Sequence, residues 1–155
     1  MAITQLSAFL ENTPGTLYQA VSTISDAGVN LRALSVADTS DFGILRVIVS
    51  DTEKTKAALS DVAVCTETKV IAAKMSDEAG ALKKILAIIQ ETGVNIEYVY
   101  AFTSAVAGNA YVVLRVNDVE SAEEVLAKAG IATLSDEDLE GVLESSLNRS
   151  ILLPL

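Results

Sequence analysis

Two short segments of the 155-residue chain combine residue types that suit a small zwitterion. One is Glu11-Asn12-Thr13-Pro14-Gly15-Thr16-Leu17 and the other Ser76-Asp77-Glu78-Ala79-Gly80-Ala81-Leu82. In each, a turn sequence gives way to apolar residues at helical spacing, so the segment ends at a helix N-terminus. Such a terminus offers unpaired N–H donors and the positive end of the helix dipole, which suit a carboxylate. Gly15 and Gly80 remove the side chain that would keep a ligand from the backbone. Asn12 or Asp77 can then accept from an ammonium group. Asn, Asp and Gly are also ordinary capping and turn residues, so the spacing by itself serves a plain turn equally well.

Further polar and aromatic positions stand nearby in the pattern. Asn30 and Asn95 each follow a glycine and open a strand, where asparagine either caps its own backbone or meets a ligand. Tyr98, Tyr100 and Phe102 alternate along the same strand of the second segment's half and suit stacking, core or interface. Ala33, Ser35 and Ala37 take their places in the first half, so the two halves are not equivalent. Catalytic chemistry is poorly supplied. The chain has no histidine, which removes the usual general base at neutral pH and the commonest metal ligand. It has no P-loop, no dinucleotide fingerprint and no cysteine pair, and Asp136, Glu137 and Asp138 cluster as on a solvated face. No catalytic residue, metal ligand or cofactor is expected.

An internal repeat positions these residues. A shift of 65 sets Leu6, Ala8 and Leu10 against Ile71, Ala73 and Met75, then Gly15 and Leu17 against Gly80 and Leu82. It continues through Ile24 and Ile89 to a shared Gly-Val-Asn at Gly28 and Gly93; beyond a loop two residues longer in the second copy, Asp51 meets Asp118 and Leu59 meets Leu126. Leu6, Ala8 and Leu10 alternate as in a strand over residues 4–10. Thr13 and Pro14 then suit the N-cap and first position of a helix. Leu17, Ala20, Val21 and Ile24 form its apolar stripe, as Leu82, Ile85, Leu86 and Ile89 do in the second copy. Strands are expected over 30–38 and 43–50, with counterparts at 95–104 and 109–116. Short helices follow at 52–60 and 120–129, and last strands near 62–66 and 131–134. Each copy is thus βαββαβ, the split βαβ unit, an α+β arrangement with an antiparallel sheet and helices on one face. The expected domains are residues 1–67 and 68–138, with a tail at 139–155. Ile44, Leu45, Val47, Ile48 and Val49 are apolar at both parities, as are Val112, Val113, Leu114 and Val116. Much of the face away from the helices is therefore expected to be covered, by the other copy or a second chain.

Composition narrows the partners. Lysine plus arginine is 11 and aspartate plus glutamate 21, a net charge of −10 that repels phosphate backbones and anionic membranes alike. Half of the residues are hydrophobic, so disorder is excluded. Lone Cys65 reads as a reduced structural thiol. With no secretory signal and no apolar run of about 18 residues, a soluble cytoplasmic protein is expected. The tail, with Ile151, Leu152 and Leu153, has no counterpart in the first copy and reads as a docking segment or an appended remnant.

Asn12-x-Pro14-Gly15-x-Leu17 followed by Gly28-Val29-Asn30-Leu31, and Asp77-x-x-Gly80-x-Leu82 followed by Gly93-Val94-Asn95-Ile96, resemble tandem ACT domains. That resemblance spans nearly all of residues 3–138. It implies ferredoxin-like repeats whose effector lies against the first loop and the second strand, at an interface where sheets join. Carried over, the ligand-binding residues are Asn12, Gly15, Thr16, Asn30 and Leu31, and Asp77, Gly80, Ala81, Asn95 and Ile96. The second loop departs from the first, with Ala79 for Pro14 and Asp77 for Asn12. The implied function is a non-catalytic sensor of a free amino acid, a homodimer that regulates an enzyme of amino-acid metabolism. The alternative is a protein-interaction module acting on a partner enzyme without ligand.

Overall fold

The computed structural model describes residues 1–38, 41–103 and 107–139. The chain divides into two compact units, Thr4–Thr68 and a second that begins at Lys69 and takes in Met1–Ile3. The first contains β1 (Ile3–Glu11), α1 (Thr16–Asp26), β2 (Leu31–Asp38), β3 (Phe42–Val49) and α2 (Thr52–Leu59). β4 (Val64–Ser76) crosses the boundary, and α3 (Ala81–Gln90), β5 (Ile96–Thr103), β6 (Asn109–Val116) and α4 (Val119–Lys128) follow.

In the first unit β3 lies between β1 and β2, antiparallel to both. In the second, β6 holds the same place between β4 and β5. The inward parity of each sheet packs under its helices. Leu6, Ala8, Leu45 and Val47 join Ala20, Ile24 and Leu59 in one buried cluster. Ile71, Ala73, Val112 and Leu114 join Ile85, Ile89, Ala122 and Leu126 in the other. Each of the leucine, isoleucine and valine side chains contributes about 1.5–3 kcal/mol by leaving water, and the alanines less. The opposite parity is covered too: Gln5, Ile48, Ala72 and Val113 are fully buried.

Three expectations are corrected. The last strand of the first copy and the first strand of the second are one continuous strand, β4, because no glycine or proline interrupts residues 64–76. The last strand of the second copy is only a bridge between Ala73 and Thr133, after which Asp136–Leu139 turns helical with Asp138 accepting from the Ser135 N–H at 2.8 Å. Thr13 and Pro14 precede the first helix instead of opening it, since the Thr16 N–H closes a turn onto Thr13 O at 3.3 Å. Thr39 and Ser40 of the first hairpin, Ser104 of the second and the tail beyond Leu139 lie outside the described residues.

Candidate functional site

The four helices begin in two different ways. Asp51 caps α2 through the Lys54 N–H at 3.0 Å, and Asp118 caps α4 through the Ser121 N–H at 3.1 Å. Each has a glutamate in its first turn, Glu53 and Glu120. α1 and α3 have no side-chain cap and no acidic residue in the first turn. The first N–H of each, Thr16 and Ala81, turns back onto a backbone carbonyl, and no side chain caps the donors that follow, the condition that suits an external carboxylate.

The residue before each uncapped helix is a glycine in the left-handed region, Gly15 at φ +85° and Gly80 at φ +91°. A Cβ placed on either would meet nothing within 4 Å. The backbone angle by itself demands glycine at both positions, and no neighbouring side chain or backbone of the protein crowds them. Thr16 sits at the first position of α1, its Oγ1 sharing a hydrogen bond of 2.7 Å with Thr13 Oγ1. Ala81 takes the same position in α3.

At α3 the turn forms one wall of a cavity of about 320 Å³, lined by Gly80, Ala81, Lys84, Met75, Ile85 and Ile131 among others. Its size falls at the lower end of small-molecule sites. Lys84 and Ile131 were not legible as site residues: one is a surface lysine by pattern, and the other comes from the far end of the repeat. Asp77 is exposed and does not line this cavity, as Ser76 and Glu78 on either side of it do; its N–H donates to Gly108 O at 2.9 Å. In the first unit the exposed Asn12 donates its N–H to Asp41 O at 3.4 Å.

The second-strand residues stand elsewhere. The Asn30 N–H donates to Ser50 Oγ at 3.1 Å, and the Asn95 N–H to Asn117 Oδ1 at 3.0 Å. Asn95 and Ile96 line a separate cavity of about 470 Å³ with Leu86, Gln90, Gly93 and Val94. The first loop adjoins the hairpin at one end of the sheet, whereas Asn30 and Asn95 enter at the other. Between them lie a ten-residue helix, roughly 15 Å long, and an eight-residue strand, roughly 26 Å long. No single amino acid spans that distance. Within one repeat, then, Gly80 and Ala81 are not brought together with Asn95 and Ile96, and Gly15 and Thr16 are not brought together with Asn30 and Leu31.

Half-buried Phe102 stacks on Tyr111 with centroids 5.3 Å apart, which places this aromatic pair in packing. Cys65 is half-buried in β4, and burial pushes its thiol pKa up, as for an inert structural cysteine. No group of three or more metal-ligating side chains gathers among the described residues, and no helix among them is long and apolar enough to cross a membrane.

Residues 1–143 match the family model of the ACT domain pair. The chain belongs to that family. A regulatory and non-catalytic role goes with ACT membership. A crystal structure of a Bacteroides thetaiotaomicron protein is similar to this ACT pair at 38% identity, with a TM-score of 0.83 over 90% of this chain and 96% of that one. The regulatory subunit of aspartate kinase from Thermus thermophilus, in its ligand-free form, shares the fold at 13% identity and a TM-score of 0.61, covering 81% of this chain and 91% of its own. The corresponding subunit from Thermus flavus shares it at 15% identity and a TM-score of 0.57, over 80% and 88%. No curated protein matches the chain.

Proposed function

We propose that this ACT pair is a ligand-responsive regulator that binds a free amino acid, its carboxylate on the uncapped N-terminus of α3 in the Gly80 cavity. One observation carries the reading: α1 and α3 lack the aspartate caps that α2 and α4 possess, and at α3 the bare terminus opens on a cavity of amino-acid size. Asp77 and Glu78 supply acceptors for the ammonium group. Met75, Ile85 and Ile131 supply an apolar wall for the side chain. Thr16 with Gly15 forms the counterpart at α1.

The loop and strand residues, too far apart within a repeat, are united when the strand entry of a second copy closes the open side. The ligand then favours the assembled state by its greater affinity for it. A homodimer and a regulated enzyme of amino-acid metabolism follow as partners. β2 and β5 each pair on one side only within their units and leave Leu34, Val36 and Val99 between 42% and 51% exposed, a surface that also fits contact with a partner enzyme without ligand.

A thermal-shift screen of the twenty amino acids at millimolar concentration tests the proposal. At about 100 times its Kd, a true ligand stabilises by about 2.7 kcal/mol. A flat response to all twenty, with one enzyme still captured, would favour the interaction module instead.

A further inference from the structure

The two repeats carry opposite charges at one matched position. In the second, Glu97 sits at the ladder irregularity between Ile96 and Tyr98 and pairs with Arg115 Nε at 3.0 Å. In the first, the matching irregularity between Leu31 and Ala33 holds Arg32. Arg115 stands opposite Tyr98, and the equivalent place opposite Ala33 is taken by Ile48. The carboxylate has become a guanidinium, and its counter-ion an alkyl group. Nε and Nη2 of Arg32 are shielded from solvent and meet no hydrogen-bond acceptor among the described residues. Burial draws its pKa below the ordinary arginine value. Charged donors stripped of water and left without acceptors cost free energy that the unliganded fold does not recover.

We propose that Arg32 is a carboxylate receptor, its Nε and Nη2 edge donating side-on to the two oxygens of a small carboxylate ligand. The planar guanidinium fork matches the two carboxylate oxygens, a geometry that a lysine does not provide. Arg32 is only half-buried as a residue, so its side chain lies close to the surface although that edge is shielded. Asn30, two residues earlier, is exposed beside the same strand entry. Lys54 Nζ stands 3.9 Å from the point that a Cβ on Gly28 would occupy, placing a second cation at this end of the unit. Asp51, which accepts from the Lys54 N–H, and Glu53 stand in the same helical turn as this lysine. The second repeat lacks both cations, having Glu97 for Arg32 and Ser121, bound to Asp118, for Lys54. The ligand's being an amino acid rests on the proposed function; the carboxylate site does not.

The chain has only four arginines, at 32, 46, 115 and 149, so their Nε–Hε signals can be followed individually by NMR, with Arg32→Lys identifying one of them. Titration of the full chain with sodium acetate at constant ionic strength should move the Arg32 signal saturably, and acetamide should not. The Arg115 signal, already paired with Glu97, should stay in place. No movement at Arg32, or movement shared equally by all four, would overturn the assignment. Arg32→Met should melt at the same temperature as the parent or higher; a clear fall would show that the guanidinium serves the unliganded fold, and would also overturn it. An amino acid that stabilises the parent and Arg32→Gln equally would sink the Arg32 site and leave the amino-acid reading standing. A saturable acetate shift with no amino-acid response would do the reverse.

Discussion

Gly80 and Asp118 begin equivalent helical turns by opposite means, one with a bare left-handed backbone and the other with a carboxylate. Because Gly80 lies at φ +91° with open space around its missing Cβ, Gly80→Ala carries only backbone strain. Urea unfolding should show a loss of about 1–2 kcal/mol. Hydrogen bonds from the Ser121 hydroxyl and N–H hold the Asp118 pKa below the usual carboxylate range. A depressed folded pKa means stability that is complete above the unfolded value of about 4 and is lost as pH falls through the folded value. Asp118→Asn keeps the cap without the ionisation, so its melting temperature should fall less steeply than the parent's below about pH 4. At this scale the glycines before the helices and the pairing of Asp51 with Asp118 across the repeat were legible from residue type and spacing; that the two aspartates are helix caps was not. Arg32, Lys84 and Ile131 were not, because their significance depends on what surrounds them: a missing acceptor in one case, and a shared cavity wall in the others.

A helix that ends bare where its neighbour is capped has given up stability that a single residue would restore. Placing a carboxylate in the first turn of α3 with Ala81→Asp should stabilise the chain by about 0.3–1 kcal/mol through the helix dipole. The same change should abolish the amino-acid response, since the new carboxylate occupies the place proposed for the ligand's. Thermal melts with and without amino acid read both effects; a variant that is stabilised yet still responds would detach the ligand from α3. The helices and hairpin strands were readable because their apolar periods are unambiguous and Gly28 and Gly93 mark the ends of the first helices. The fusion of two expected strands into β4 was not, because residues 64–76 carry no breaker and alternation alone does not say where one sheet partner gives way to the next. The separation of loop from strand entry also escaped the sequence. Thirteen residues look close along the chain until ten of them form a helix and carry the ends apart.

For the whole chain, the net charge of −10 works against the compact state by self-repulsion, which salt screens. The melting temperature should therefore rise between low and physiological ionic strength, and a calorimetric scan in sodium chloride checks it. The ACT pair was legible at this scale because a repeat with its order and spacing preserved is a far stronger signal than any one motif. The inequivalence of its copies was legible only in outline, through Asp77 for Asn12 and Ala79 for Pro14. The structure adds that the Gly80 turn of the second copy lines a cavity, and that the first carries at its strand entry an arginine whose Nε and Nη2 meet no acceptor among the described residues. The central claim, a free amino acid held by the backbone of the Gly80 turn, is tested most directly by following the backbone amides of the intact chain by NMR during titration with each of the twenty amino acids. The account predicts that at least one amino acid moves the amides of Gly80 to Lys84 saturably, and that its methyl ester, which lacks the carboxylate, does not. If the amides of that turn stay in place for all twenty, the claim is wrong.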